Sequence, residues 1–406
     1  MQNALSVSII PYGRQSINDD DVAAVVDALR SDFLTGGPKV EEFECAFAAR
    51  VGAKYAVAMN SATSALHVAM LVGGVKPGDR VVTSPNTFLA SANCAAFVGA
   101  IPDFSDIDPI SGNLDPIALE RGWRDDTRAV VAVAYAGQPC DMPAIAQIAR
   151  AQGAVVIEDA CHGVGSALFH AGRVWPVGGH PWADITIFSF HPVKTMTTGE
   201  GGMLVTNNAA WAAEAKRLRS HGVERCEFTG LGADTDPELA ERGPWYYEMQ
   251  ALGWNYRITD IQCALGLSQL ARLDEFIARR RAIVGRYDQA FRNLHWLARQ
   301  GVCPPAKPEL TSWHLYTVQI DFTALCKTRT EVMHELRAKG VGSQVLYIPV
   351  HLQPWYRKTY GYAKGKCPKA ENFYRRSLSL PLFPAMGDED INRVVEAVLS
   401  LGNRCI

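Results

Sequence analysis

Ala154-Val155-Val156-Ile157-Glu158-Asp159-Ala160-Cys161-His162 is an apolar run that stops at two acids, a cysteine and a histidine. A short apolar run rich in β-branched residues and bounded by polar ones reads as a buried strand. Comparable runs occur at 56–59, 81–83, 129–134, 185–188 and 203–205, with helical patterns such as 142–151 between several of them. Strands alternating with helices predict an α/β fold whose central sheet is mainly parallel and covered on both faces. Ligands gather beyond the carboxyl ends of such strands, so Asp159 and His162 become candidate site residues. A strand-terminal Asp is as readily a helix cap, and a packed, uncharged histidine is common. Position alone therefore leaves both roles open.

Asn18 followed by Asp19, Asp20 and Asp21 makes a cap and an acidic first turn, after which Val22, Val25, Val26 and Leu29 recur at i, i+3, i+4 and i+7 as the apolar face of a helix. Beyond about residue 253 the texture changes. Thr259-Asp260-Ile261-Gln262 has the spacing of a capping box, and a long charged helical stretch follows over 273–294. Then come a strand at 315–320, a helix at 330–339, a strand near 343–347 and a last helix with Ile391, Val394, Val395 and Val398 on one face. Two domains are expected at roughly 150 residues each or more: a large cofactor-binding domain with an N-terminal arm over 1–253, and a connector helix with a smaller α/β domain over 254–406. The segment 224–243, rich in Gly, Asp and Glu, reads as a mobile surface loop.

The formal charge is −2 and no block of five or more like charges occurs, which points away from nucleic acid or an anionic membrane and toward a small-molecule substrate. No run of eighteen apolar residues is present and residues 1–10 carry no basic leader, so a cytoplasmic protein without a membrane span is expected. Ten cysteines without a CxxC pair or a Cys/His grouping at zinc spacing read as reduced, packed thiols, with no metal expected.

Chemistry concentrates at two further places. Ser189-Phe190-His191-Pro192-Val193-Lys194, followed by Thr195 to Thr198 and the turn Gly199-Glu200-Gly201-Gly202, sets a lysine between a buried strand and a glycine turn. Desolvation there favours the neutral amine, the form that attacks an aldehyde; an ordinary loop lysine stays solvated. Asn60-Ser61-Ala62-Thr63-Ser64 joins the run 56–59 to a helix with Ala62, Ala65, Leu66 and Ala69 on one face. The free amides of that helix end, with the hydroxyls of Ser61 and Thr63, suit a phosphate, although a plain Ser/Thr cap has the same look. A carboxylate such as Asp159 beside a pyridine nitrogen keeps the ring protonated, as pyridoxal chemistry requires.

The trio NSATSA at 60–65, EDACH at 158–162 and SFHPVK at 189–194 with TTGEGG at 197–202 resembles, in this order and separation, the sugar-nucleotide aminotransferases of the StrS/DegT type. The likeness runs from Pro11-Tyr12-Gly13 to the last helix. It implies the aspartate-aminotransferase-like fold, PLP fold type I, and pyridoxal 5′-phosphate as cofactor. Lys194 would then form the Schiff base and act as acid and base, and Asp159 would face the ring nitrogen. Ser61, Ala62, Thr63 and Ser189 would hold the phosphate, Phe88 would lie on the ring, and His162 would stand near the ring oxygen. Asn255, in Gly253-Trp254-Asn255-Tyr256-Arg257, matches a residue that reaches the phosphate from the neighbouring subunit, implying a homodimer with shared active sites.

Within that family Phe33-Leu34-Thr35-Gly36-Gly37-Pro38, Gly243-Pro244-Trp245-Tyr246-Tyr247-Glu248 and Tyr347-Ile348-Pro349-Val350-His351-Leu352-Gln353-Pro354 resemble the branch that aminates C4 of a UDP-linked 4-keto-6-deoxy-N-acetylhexosamine in pseudaminic acid biosynthesis. L-glutamate would be the amino donor, with Arg257, Tyr347 and His351 facing the substrate. The alternatives are an aminotransferase for a GDP- or dTDP-linked 4-keto or 3-keto sugar, a sugar dehydratase of the same fold, and a non-enzymatic pyridoxal-phosphate-binding regulator. Lys194 weighs against the dehydratase, in which histidine replaces that lysine.

Overall fold

The computed structural model describes residues 8–230 and 243–402. Asn18 and Asp21 form a reciprocal capping box that starts α1 (Asp19–Arg30), and α2 (Pro38–Val51) begins on a proline and ends at Gly52, whose φ of 78° only glycine adopts freely. The large sheet and its covering helices follow in chain order: β1 (Tyr55–Met59), α3 (Ala62–Val72), β2 (Arg80–Thr83), α4 (Ala90–Phe97), β3 (Ile101–Phe104), α5 (Pro116–Arg121), β4 (Thr127–Val133), α6 (Met142–Ala151) and β5 (Val155–Asp159). A hairpin of β6 (Ala167–His170) and β7 (Arg173–Pro176) precedes β8 (Ile185–Ser189), β9 (Gly202–Thr206) and α7 (Ala209–Leu218). The sheet order is β1-β9-β8-β5-β4-β2-β3, and all its pairings are parallel except the two made by β9. The expected mainly parallel α/β sheet is therefore present, with one reversed strand. The missed strand, β3, contains Pro102 and lies at the sheet edge, where a residue without an N–H is tolerated.

Both faces of the sheet are covered. On one side Leu66 and Met70 of α3 pack on Val57, Ile157, Ile187 and Leu204; on the other Phe43 and Phe47 of α2 meet Phe188 and Phe190, with ring centroids 5.0–5.3 Å apart across the helix–strand contact. Each of these buried phenylalanines contributes about 1.5–3 kcal/mol.

A short ribbon, β10 (Val223–Glu224) with β11 (Glu248–Met249), leads to α8 (Asp260–Ala271), started by the Thr259–Gln262 capping box, and to α9 (Leu273–Phe291). The loop expected over 224–243 thus begins inside a paired strand, and residues 231–242 of it lie outside the described residues. The remaining elements are β12 (Leu297–Arg299), β13 (Tyr316–Ile320), α10 (Arg329–Ala338), α11 (Pro354–Tyr360), α12 (Pro368–Arg376), β14 (Ser377–Leu380) and α13 (Asp388–Leu399). The antiparallel β12-β13-β14 sheet shares a core with α9, α10 and α13, built on Ile283, Tyr287, Val318, Leu336, Ile391 and Val394. Ile10 joins that core, its amide 2.8 Å from the Gly340 carbonyl, so the N-terminal arm crosses to the C-terminal sheet.

Two expectations are corrected. No strand forms over 343–347: Gln344 makes a single bridge to Ser379, the Leu346 carbonyl is taken by the Tyr135 hydroxyl at 2.5 Å, and Pro349 has no amide to continue a ladder. The apolar stripe of α1 is not buried as a whole, with Val22 53% and Leu29 54% exposed and Val25 and Val26 half-buried, because the helix turns Asp21 inward, where its carboxylate meets donors on α8.

Candidate active site

Three neighbouring strands bring their residues to one sheet edge: Asp159 ends β5, Ser189 ends β8, and Gly202 opens the reversed strand β9. A cleft of about 770 Å³ opens there. Ser61, Ala62, Thr63, Phe88, Asp159, His162, Ser189, Lys194 and Tyr347 all line it, whereas Asn255, Arg257 and His351 do not.

The first turn of α3 forms one wall. Ser61 caps it, its Oγ accepting from Ser64 N at 3.1 Å, while the amides of Ala62 and Thr63 hold first-turn positions for which a helix supplies no partner. β9 runs directly against this turn: a Cβ on Gly202 would stand 2.4 Å from the Ala62 nitrogen. Gly202→Ala must therefore displace this turn. Inorganic phosphate or cofactor should bind roughly tenfold more weakly, ~1.4 kcal/mol, in a direct titration; undiminished affinity would contradict the assignment of this wall.

Asp159 stands across the cleft. Ser91 Oγ donates to its Oδ2 at 2.5 Å and Cys161 N to its Oδ1 at 3.1 Å, with the Thr87 hydroxyl 2.7 Å behind Ser91. Its neighbour Glu158 points through the opposite face, as successive strand residues do, and is buried against His180 at 2.9 Å. The strand's alternation thus selects one of the two acids for the cleft. Lys194 follows a turn in which its amide bonds to the His191 carbonyl at 2.8 Å. Its side chain is half-buried and opens on the cleft. Burial lowers its ammonium below the usual lysine value, against the opposing pull of Cys161 and Asp159.

His162 Nδ1 accepts from Ala136 N at 3.3 Å, which puts the ring proton on Nε2, 3.3 Å from the Tyr347 hydroxyl. Among the described residues Tyr347 keeps its own proton to donate into the cleft. The His314 ring lies 4.3 Å from that of His162. Burial first, and then neighbouring positive charge, pushes both well below the ordinary histidine value. The sign follows. Below about pH 6.5 the unfolded chain takes up protons that the folded one refuses, so cofactor-free protein should lose up to ~1.4 kcal/mol per histidine per pH unit. Urea midpoints at pH 7.0 and 5.5 measure this, and His314→Phe should flatten the difference.

Phe88 stands at the cleft mouth, 57% exposed, its ring centroid 6.1 Å from that of Tyr347. Asn255 is exposed and only its carbonyl engages the cleft wall, accepting from Asn60 Nδ2 at 3.3 Å. Arg257 faces a second hollow shared with Glu44, Lys216 and Arg219, and donates to Ser220 Oγ at 3.3 Å. The expectation that His351 faces the substrate is corrected: it is fully buried, its Nε2 3.0 Å from Glu371, whose carboxylate also takes the Gly365 amide at 2.7 Å. That pair shapes the loop carrying Tyr347 rather than reaching a ligand. Sequence reasoning passed over Tyr12, Ser91, Cys161, His191, Glu200 and Gln262, all of which line the cleft. Ser91 was accessible from its i+4 spacing to Thr87; Tyr12 and Gln262 arrive from distant segments that no local pattern connects.

The donor set fits a phosphorylated pyridine aldehyde: helix amides for a phosphate, a carboxylate for a ring nitrogen, and an amine of lowered basicity for an aldehyde carbon. Among the described residues no His, Cys, Asp or Glu side chains group as a metal site, and no helix is long and apolar enough to cross a membrane.

Residues 15–399 match the DegT/DnrJ/EryC1/StrS aminotransferase family. The chain is 40% identical over 390 residues to the spore coat polysaccharide biosynthesis protein SpsC of Bacillus subtilis (strain 168), covering 96% of each. Its fold is similar to that of Helicobacter pylori PseC, an aminotransferase involved in the biosynthesis of pseudoaminic acid, with a TM-score of 0.86, 28% identity, and coverage of 98% of this chain and 100% of that one. The PLP form of a putative sugar aminotransferase, Spr1654 from Streptococcus pneumoniae, also has a TM-score of 0.86 at 28% identity, covering 98% of this chain and 100% of that one.

Proposed function

The chain belongs to the DegT/DnrJ/EryC1/StrS aminotransferase family, and from that premise we propose that it transfers an amino group from L-glutamate to C4 of a UDP-linked 4-keto-6-deoxy-N-acetylhexosamine, as a cytoplasmic homodimer. It is a pyridoxal-phosphate-dependent sugar aminotransferase. The observation that carries the proposal is the convergence of Lys194, Asp159 and the free amides of α3 on one cleft. The likeness to PseC supports the UDP-linked 4-keto sugar. The 40% identity to SpsC favours a second reading, the same transfer to another nucleotide-linked ketosugar destined for a polysaccharide.

Bound pyridoxal phosphate supplies an aldehyde to take up the amino group and a ring to delocalise the charge left on the neighbouring carbon. The Ala62 and Thr63 amides, with the hydroxyls of Ser61, Thr63 and Ser189, are assigned to its phosphate. The Asp159 carboxylate is assigned to the ring nitrogen, Phe88 to one ring face, and His162 to the ring oxygen. Lys194 Nζ takes the proton from the glutamate α-carbon and, in the second half-reaction, delivers one to C4 of the sugar. Burial lowers its basicity, which favours both tasks. Tyr347 donates to the substrate, while His351 acts through the loop it braces.

A second copy is supported by exposed apolar residues on one N-terminal stretch, Val22, Leu29, Phe33 and Leu34. Asn255 and Arg257, turned away from their own cleft, are assigned to the partner's phosphate and to the substrate's diphosphate. To test the proposal, the protein is incubated with glutamate and a panel of nucleotide-linked ketosugars, and products are identified by mass and NMR. A 4-amino sugar from the UDP-linked substrate is expected. Product from only GDP- or dTDP-linked sugars would remove the substrate assignment, and failure of glutamate to consume the cofactor's visible absorbance would remove the donor.

A further inference from the structure

We infer that one face of α8, through Gln262, Gly266 and Gln269, is the platform that aims Lys194, and that Gln269 is a positioning residue coupling the lysine loop to the N-terminal helix. The inference rests on the reading of Lys194 given above. Residues 262, 266 and 269 fall at i, i+4 and i+7, a single stripe of the helix. The loop from Lys194 to Gly201 lies along that stripe. At its far end the Glu200 carbonyl accepts from Gln262 Nε2 at 2.8 Å. In its middle Thr198 presses so closely on Gly266 that a Cβ there would come 2.9 Å from the Thr198 methyl and 2.8 Å from the Phe43 ring. At the near end, three residues beyond Lys194, the Thr197 amide donates to Gln269 Oε1 at 3.4 Å. Within the loop, Thr197 Oγ1 donates to the Phe190 carbonyl and accepts from Gly199 N, both at 2.9 Å, so the loop folds on itself and moves as a piece. Where α8 stands therefore decides where the piece stands.

The long bond from Thr197 is weak taken alone, yet its acceptor is fixed. Gln269 Nε2 faces two acceptors, Asp21 Oδ2 at 2.7 Å and the Ser16 carbonyl at 2.8 Å. Flipping the amide would set oxygen against both and an NH2 group against the Thr197 N–H. Gln269 and Asp21 are each 1% exposed. Asp21 also receives Asn18 N at 3.1 Å, Ser268 Oγ at 2.6 Å and the Arg272 guanidinium. A buried carboxylate satisfied by four donors makes a stiff node, and it belongs to the N-terminal segment that also sends Tyr12 into the cleft. Displacement of α1 is thereby passed through Gln269 to the loop that carries the reacting amine, where a misplacement of about 1 Å costs ~10²-fold in rate.

Three variants of the holoprotein separate positioning from stability. Gln269→Leu removes donor and acceptor together. Gln269→Glu keeps an acceptor for Thr197 but sets a second carboxyl group beside Asp21. Ser268→Ala removes a different donor from the same Asp21 carboxylate and does not touch the loop. The readouts are melting temperature, the pH midpoint of the bound cofactor's visible absorbance, and hydrogen exchange across residues 190–201. Gln269→Leu is expected to shift the midpoint by about half a unit or more and to speed exchange in that segment about tenfold. Gln269→Glu and Ser268→Ala should lower the melting temperature while leaving midpoint and exchange near wild type. A midpoint that simply tracks melting temperature across the three, or wild-type exchange in Gln269→Leu, overturns the inference. Should Gln269→Leu not fold, Gln269→Glu carries the decision, since accelerated exchange despite its retained acceptor also overturns it. Failure of the underlying reading shows separately, as a Lys194→Ala protein that keeps the pH-dependent absorbance; the exchange of residues 190–201 is independent of it.

Discussion

Lys194→Ala is expected to fold as well as the wild type and to transfer amino groups at least ~10³-fold more slowly. The two halves of this expectation have one cause. The cleft desolvates the ammonium and pulls its basicity down, with Cys161 and Asp159 only partly opposing, so the side chain is held in place at a cost to the folded cofactor-free chain. Removing it relieves that cost, and calorimetry without cofactor should show a melting temperature no lower than wild type. In the proposed mechanism both half-reactions use that amine. In single-turnover measurements the variant should fail with glutamate and with ketosugar alike, and a small exogenous amine should restore a fraction of the rate. A variant completing both half-reactions at an undiminished rate would remove the amine from the mechanism.

Asp159→Asn is expected to lower kcat by about 10²–10³-fold, the usual cost of deleting one preorganised electrostatic partner of the developing charge. The amide has the same shape: its oxygen still accepts from the Cys161 amide, and its NH2 group donates to Ser91 Oγ, whose proton turns toward the Thr87 hydroxyl, so cleft geometry survives. What it loses is the negative charge that keeps a ring nitrogen protonated. The KM for the nucleotide sugar should stay within about threefold of wild type, since a group felt only in the transition state changes kcat and kcat/KM together. A fall in affinity with kcat preserved would make Asp159 a structural cap of the kind its strand-end position also allows.

The readable parts of this protein are the ones whose physics is local. A cap followed by acids starts α1, a capping box starts α8, and an apolar run ending in Asp159 marks a strand mouth, because each signal lies within a few residues of what it specifies. The errors occur where a distant segment sets the outcome. The valine stripe of α1 gave the right helix but not how far that stripe is buried, because Gln269 and Arg272, some 250 residues away, claim Asp21. The strand expected near 343–347 is lost to the Tyr135 hydroxyl, which takes the Leu346 carbonyl. His351 was expected at the substrate from the resemblance of its segment, yet Glu371, twenty residues on, holds it in the core.

From the order of residues alone came the α/β class and the strand ends, consequences of hydrophobic periodicity and backbone capping over short spans, while the resemblance singled out Ser61 to Thr63 and Lys194 as candidates. Folding in three dimensions settled the rest: which of two adjacent acids faces the cleft, which tautomer His162 takes, and which helix face supports the lysine loop. Those outcomes depend on partners brought together from 22 to 72 residues apart along the chain. Hydrogen-bond satisfaction in a buried environment decides among such partners, and no short window of sequence contains both members of the pair.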